Sequence, residues 1–115
     1  KVDNQYFAYS RPQENGNKTD VRWVKLSKSK DKSIEMSSAT PFETSAMPYT
    51  QESFDDGDKK DQRHPTDVEK QPFVEWQINK VQMGVGGDDS WGAKPHQEYL
   101  IHPAIYQFDF NLKIN

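Results

Sequence analysis

The sequence predicts an all-β fold, an antiparallel β-sandwich, on three observations. Segments 73–79 and 106–114 alternate apolar and polar side chains, which is typical of strands with one buried and one solvated face. Aromatic residues make up 12% of the chain and cluster in short segments, so they can bury much area with few residues. No segment has the periodicity and length of an ordinary helix. The 115 residues suffice for one domain, 1–115.

The composition limits the classes of function. Hydrophobic residues make up only 32%, but the net charge of −3 and the aromatic content argue against disorder. This near-neutral charge gives no reason to expect nucleic acid or an acidic membrane as a partner, and no apolar run could span a bilayer. The absence of cysteine excludes disulfides and thiolate metal sites but leaves the localisation unknown. Because the first residue is Lys1, we expect the chain to be cut from a longer one.

Turn residues separate short strands in the first half of the chain. Segments 6–9 and 21–26 are predicted strands, and Asn15–Gly16 between them predicts the turn of a hairpin because both residues tolerate positive φ. A short returning strand is predicted at 33–37 and a further one at 42–47.

Polar sequence separates these strands from the two alternating segments. Thr50 is the predicted N-cap of one helical turn that Gly57 ends. Segment 55–70 carries charges of both signs, which is typical of a solvated loop, and no specific role can be given to it.

A glycine-rich loop, residues 84–92, lies between the two alternating segments. Four glycines in nine residues free the backbone for positive φ and for close approach, and Asp and Ser side chains bond locally to the backbone. The predicted loop-shaping residues are Gly86, Gly87, Asp88, Asp89 and Ser90. Trp91 on this loop either faces a sugar, whose C–H face packs on flat aromatic rings, or plugs the end of the sandwich. Composition alone leaves both interpretations open.

Asp88 and Asp89 also invite a metal or acid–base interpretation. Adjacent residues of an extended chain point in opposite directions, so they do not form the facing carboxylate pair, about 5 Å apart, of a retaining glycosidase. Bracing of the loop is the better interpretation. His64, His96 and His102 lie in separate loops, and no ligand-type spacing supports a metal site there. We therefore assign no catalytic residue and no metal ligand.

Two motifs resemble a known family. Segment 83–91, Met-Gly-Val-Gly-Gly-Asp-Asp-Ser-Trp, closely resembles a segment near the C-terminus of lactose-operon-type β-galactosidases, glycoside hydrolase family 2. Segment 11–16, Arg-Pro-Gln-Glu-Asn-Gly, resembles a second signature of the same C-terminal domain, and segment 106–112 sits where the family chain ends. The matches span nearly the whole chain in the family's order.

The resemblance implies a place and a role for the chain. The family's C-terminal domain is a large antiparallel β-sandwich, of which this chain would be the second half. The family's tryptophan in this motif lines the active site and stacks on the substrate, chiefly on the leaving sugar, and this role carries over to Trp91. The family's catalytic glutamates lie on a central TIM barrel, and its magnesium and sodium sites lie there or nearby. The resemblance therefore gives no cofactor to this chain and no catalytic role to Glu14, Glu75 or Glu98.

Three hypotheses follow. The first is a segment of a retaining β-galactosidase that completes the active site around a β-galactoside, with the parent's other domains as partners and no turnover of its own. The second is a free-standing carbohydrate-binding module. Such a module would need several exposed aromatic side chains, and only Trp91 looks presented here, since Trp23 and Trp76 lie in strand patterns. The third is a structural sandwich whose loop docks on a neighbouring domain. Because half a sandwich leaves apolar faces without partners, we expect the isolated chain either to self-associate or to be a compact subset of strands that is stable by itself.

Overall fold

The chain forms short elements around four strands. A computed structural model describes residues 1–55, 57, 63–84, 86–89 and 91–115. The strands are β1 (Lys18–Ser29), β2 (Lys32–Met47), β3 (Glu75–Asn79) and β4 (Asn111–Ile114). The helical segments are α1 (Gln51–Phe54) and the 3₁₀ turns Val2–Asn4, Pro65–Asp67 and Gln97–Tyr99.

The four strands form one sheet in which β2 is the central strand. β1 and β3 lie on either side of β2, and β4 also pairs with β2. β4 runs antiparallel to β2, with Ile34 opposite Ile114 and Ser37 opposite Asn111. A two-residue turn joins β1 to β2, which is the connection of an antiparallel pair. The predicted all-β, antiparallel fold is confirmed.

β2 merges two strands that the sequence separates. The predicted strands 33–37 and 42–47 are both present, but they belong to one continuous strand of 16 residues. This strand passes through the exposed Pro41. Proline lacks an amide donor but its φ is compatible with extended chain, so it can interrupt hydrogen bonding without ending the strand.

The predicted hairpin around Asn15 is wrong in its first strand. Segment 21–26 lies in β1 as predicted, whereas 6–9 is not a strand. The side chain of Asn15 binds this segment instead: its Oδ1 accepts from Phe7 N at 2.9 Å, and its Nδ2 donates to Phe7 O at 3.1 Å and to Gln13 O at 2.9 Å. An amide side chain can act as both donor and acceptor, so Asn15 bonds Phe7 much as a neighbouring strand would.

The predicted helical turn, 50–54, is present, but the role predicted for Gly57 is wrong. Thr50 is its N-cap, since its Oγ1 accepts from Ser53 N at 3.2 Å. The turn ends at Phe54 because Asp55 is already extended, so Gly57 does not terminate it. The segment Asp55–Lys70 that follows is described only at 55, 57 and 63–70. Most of these residues are exposed, as expected of a solvated loop.

The last predicted strand is confirmed only in part. Of segment 106–114, residues 111–114 form β4 and residues 106–110 are not a strand. In the paired part, Ile34 and Met36 of β2 lie opposite Ile114 and Leu112 of β4. Side chains on the other face are polar. On this polar face, Glu35 lies opposite Lys113 and Ser37 lies opposite Asn111. The alternation thus correctly predicts an apolar and a polar face, but the expectation that the apolar face is buried is wrong for β4: Leu112 is 54% and Ile114 73% exposed.

The chain divides into two compact units, each with its own small core. In the first unit, 1–19 with 44–78, the rings of Tyr6, Tyr49 and Phe54 form a cluster with centroids 4.6–5.9 Å apart. In the second unit, 20–43 with 79–115, the buried Phe42 packs on Phe108 at a centroid distance of 6.1 Å. Aromatic contacts of this kind add to what burial of the rings contributes.

In the first unit, a buried hydroxyl links β2 to β3. Thr44 Oγ1 donates to Gln77 O at 2.7 Å and accepts from Trp76 Nε1 at 2.9 Å. Both polar groups are therefore satisfied, which removes most of the cost of burying them. Throughout the described ranges, we find no helix long and apolar enough to cross a membrane.

Candidate functional site

The candidate site is the glycine-rich loop of the second unit, residues 83–92, called here the Trp91 loop. The side chain of Trp91 is 93% exposed, so it belongs to no core within this chain. An indole ring in this position presents both faces outward. Ser90, one of the predicted loop-shaping residues, lies outside the described residues, as does Val85.

Two glycines shape the backbone of the Trp91 loop for different reasons. Gly86 has a φ of +85°, a left-handed conformation that strains residues with a Cβ. Gly87 packs against the returning chain, where a Cβ would lie 2.6 Å from the carbonyl oxygens of both Ala93 and Lys94. Because the obstacle is backbone, a side chain at this position would push the two arms of the loop apart.

Asp89 holds the backbone next to Trp91. Its Oδ1 accepts from Trp91 N at 2.8 Å and from Ala93 N at 3.2 Å. The first bond, to the amide two residues further on, is an Asx-turn, which fixes an irregular loop locally. A carboxylate that accepts two backbone amides on either side of Gly92 limits how far the Trp91 backbone can move.

Asp88 bonds to the chain that returns from the Trp91 loop. Its Oδ1 lies 2.8 Å from His96 Nε2. The two aspartates thus have separate partners, and each is engaged within the chain. The sequence did not indicate the bond to His96, because the two residues are eight positions apart in a segment without periodicity.

The glutamates to which no catalytic role was given lie in different surroundings. Glu75 Oε1 accepts from Gln51 N at 3.3 Å and from Gln77 Nε2 at 3.1 Å. Glu14 Oε2 accepts from Gln51 Nε2 at 3.5 Å, also in the first unit. Glu98 is exposed in the 3₁₀ turn Gln97–Tyr99 of the second unit.

Each histidine takes part in local structure. His64 N donates to Asp67 Oδ2 at 2.7 Å at the start of a 3₁₀ turn. The ring Nε2 of His102 donates to Gln97 O at 3.2 Å, and His96 bonds to Asp88. Among the described residues, no three His, Asp or Glu side chains group closely enough to hold a metal ion.

The other tryptophans differ from each other. Trp76 is half-buried and donates to Thr44, as its place in a strand suggests. Trp23 also lies in a strand, β1, but its side chain is 65% exposed. The expectation that Trp91 alone is presented is therefore wrong, since a position in a strand does not decide which face is covered.

Comparisons with known proteins match the whole chain to one family. The family model described as "Beta galactosidase small chain" matches residues 1–112. A β-galactosidase of Halalkalibacterium halodurans is 36% identical over 100% of this chain and 11% of its own length. One of Priestia megaterium is 36% identical over 97% of this chain and 10% of its own length. One of Streptococcus thermophilus is 30% identical over 97% of this chain and 11% of its own length.

The chain thus spans about a tenth of the length of the curated relatives that it matches. The family match covers nearly every residue, including the Trp91 loop and the Asn15 segment. These findings establish that the chain belongs to the β-galactosidase small-chain family.

Proposed function

We propose that this chain is a segment of a retaining β-galactosidase of glycoside hydrolase family 2, namely the second half of its C-terminal sandwich. In this proposal Trp91 stacks on the substrate beside the scissile bond. The observation that carries the proposal is the nearly complete exposure of Trp91 on a braced loop, in a chain whose relatives are named β-galactosidases.

The chemistry proposed for Trp91 is binding rather than bond breaking. One face of an indole ring covers the C–H face of a pyranose and excludes water, while polar groups fix the orientation of the hydroxyls. Asp89 holds the backbone of Trp91, so little backbone conformational entropy is lost when the ring meets the sugar. The ring then forms one wall of the site.

The carboxylates that perform hydrolysis are proposed to lie elsewhere in the parent protein. Retaining hydrolysis needs a nucleophile and an acid/base about 5 Å apart. In the Trp91 loop, both described aspartates already have partners: Asp89 accepts two amides and Asp88 bonds to His96. Any magnesium or sodium of the parent is likewise assigned to its other domains.

Replacing Trp91 tests this proposal. In the full-length protein that contains this chain, Trp91→Ala should lower kcat/KM for a β-galactoside by about 10- to 100-fold, on the order of 1.4–2.7 kcal/mol. The loss arises because the alanine offers the sugar no ring face. Steady-state kinetics measures the effect, and Trp91→Phe should restore part of it.

Trp23→Ala is the matched control, since it removes another exposed indole from the same unit. Its kcat/KM should equal that of the wild type. Unchanged kinetics in Trp91→Ala would contradict the sugar contact and favour a loop that only docks on a neighbouring domain.

The exposure of Trp23 favours a second candidate, a free-standing carbohydrate-binding module with two tryptophans. The isolated chain distinguishes the two. As a segment of an enzyme it should neither hydrolyse a galactoside nor bind one measurably by calorimetry. A binding module should bind a galactoside alone and lose this binding in both Trp23→Ala and Trp91→Ala.

A further inference from the structure

We propose that His96 is a positioning residue for Trp91, acting through its bond to Asp88. The inference rests on the proposed sugar contact of Trp91 and names a residue that supports it. His96 does not itself contact the sugar in this proposal. It holds the Trp91 loop in the arrangement that presents the indole ring.

The bond joins two arms, namely the chain that leads to Trp91 and the chain that returns from Trp91 as far as His96. An ionised carboxylate can only accept, so His96 Nε2 carries the proton and donates it to Asp88 Oδ1 over 2.8 Å. Asp88 lies on the arm that leads to Trp91, and His96 lies on the arm that returns from it. The bond therefore restricts their separation.

Two backbone contacts also bring these arms together. Gly84 N donates to Tyr99 O at 2.8 Å, at the base of the loop. Nearer the tip, Gly87 fits against the carbonyls of Ala93 and Lys94 with no room for a Cβ. The bond between Asp88 and His96 adds a side-chain link, so the two arms are joined at Gly84, at Gly87 and at Asp88.

His96 is itself held firmly enough to position another group. It follows Pro95, whose ring fixes one backbone angle, and it caps the 3₁₀ turn Gln97–Tyr99, where Tyr99 N donates to His96 O at 2.9 Å. The ring of His102 bonds to Gln97 O of the same turn. The imidazole therefore projects from an ordered segment, and the loop is tied to that segment.

The exposure of the pair indicates an effect on loop position more than on stability. The side chains of His96 and Asp88 are 54% and 83% exposed. Exposed pairs contribute little to global stability because water and salt screen them. A weak bond can still change the fraction of molecules in which the loop presents Trp91 correctly. The apparent affinity for the sugar is proportional to that fraction.

Kinetics of His96→Ala in the full-length protein tests the inference. We expect KM for a β-galactoside to rise about two- to fivefold, equal to about 0.4–1 kcal/mol, with kcat and the thermal midpoint unchanged. His96→Gln, whose amide nitrogen can reach nearly the same place as Nε2, should restore KM. A merely structural role would instead lower the thermal midpoint and leave His96→Gln unable to rescue KM.

Three further variants show whether the effect passes through Asp88 and Trp91. Asp88→Ala should reproduce the rise in KM, and adding His96→Ala to it should change nothing further. Adding His96→Ala to Trp91→Ala should likewise have no effect, because the positioned ring is gone.

The outcomes separate this inference from the proposed function. If Trp91→Ala weakens catalysis but His96→Ala leaves KM unchanged, the positioning role is overturned and the sugar contact stands. An effect of His96→Ala that persists in full beside Trp91→Ala also overturns it. If Trp91→Ala has no effect on kcat/KM, both the sugar contact and the positioning role are wrong.

Discussion

The hydroxyl of Tyr6 is buried without a hydrogen-bond partner among the described residues. Burial raises the pKa of this hydroxyl above its ordinary value, and the neighbouring Tyr49 raises it further. An unsatisfied buried polar group costs free energy, whereas an apolar group of the same shape does not. The ring of Tyr6 stacks on Phe54 and packs at a tilt against Tyr49, so the ring stabilises the fold whereas the buried hydroxyl destabilises it.

Tyr6→Phe should therefore stabilise the first unit, by about 0.5–1 kcal/mol at pH 8, because it keeps the ring and removes the hydroxyl. The pKa of Tyr6 is higher in the folded state, so ionisation of this hydroxyl favours unfolding: the stability of the wild type is unaffected below the unfolded pKa and falls as the pH rises through the folded pKa. The loss begins near pH 10, where the hydroxyl of the unfolded chain ionises more readily than the folded one.

Urea denaturation at pH 8 and pH 10 measures both effects, and the stability gap between Tyr6→Phe and wild type should widen at the higher pH. Tyr9→Phe is the control, since Tyr9 is exposed. A Tyr6→Phe variant less stable than the wild type would mean that the hydroxyl has a partner.

Residue patterns predicted the character of the Trp91 loop and the local bonding of an aspartate side chain to its backbone, but not the bond between the side chains of Asp88 and His96. Glycine and aspartate have local preferences, so an irregular loop near Gly86 and Asp89 follows from residue type. The bond between His96 and Asp88 depends on where the chain returns, which no local preference fixes. For the same reason, the sequence could not distinguish the exposed Trp23 from the half-buried Trp76.

At the scale of elements, alternation predicted faces more reliably than strand ends. Ile34, Met36, Leu112 and Ile114 do share one face of the β2–β4 pair. The predicted strand was too long because a strand needs a neighbour to bond as well as a pattern, and β4 pairs only over 111–114. The strand predicted at 6–9 is replaced by side-chain bonds from Asn15, a tertiary detail that hydrophobicity does not report.

Asn15→Ala should loosen the segment around Phe7. The substitution removes three bonds to backbone groups, and we expect local opening to become easier by about 1–2 kcal/mol, or about 5- to 30-fold. Amide hydrogen exchange of a peptide containing Phe7 measures this in the full-length protein. Asn4→Ala, at an exposed position, is the control. Equal exchange in Asn15→Ala and wild type would mean that these bonds do not hold the segment.

At the scale of the whole molecule, composition and alternation were sufficient to predict an all-β chain. Few apolar residues are available, and the described part buries few large ones, among them Met36 and Phe42. The extent of the open apolar face could not be predicted, because alternation shows that a face is apolar without showing what covers it.

We expect the isolated chain to self-associate through the apolar face of the β2–β4 pair. Leu112 and Ile114 are exposed there, and burying them against another copy is favourable. Sedimentation velocity should show dimers or larger species at micromolar concentration. Changing Leu112 and Ile114 together to Ser should shift the chain towards monomer, whereas Lys113→Ser on the polar face should not. A wild-type monomer at these concentrations would contradict the prediction.

The pairing of β4 with β2 also determines when this part of the fold can form. Ser33 and Asn115 exchange both backbone hydrogen bonds at 2.9 Å, although they are 82 positions apart. A ribosome releases the chain from its N-terminal end, so β2 leaves the exit tunnel long before the residues that pair with segment 33–37 are made. The edge of β2 at 33–37 is therefore unpaired during part of synthesis. In that time it can bind a chaperone or the same strand of a neighbouring nascent chain.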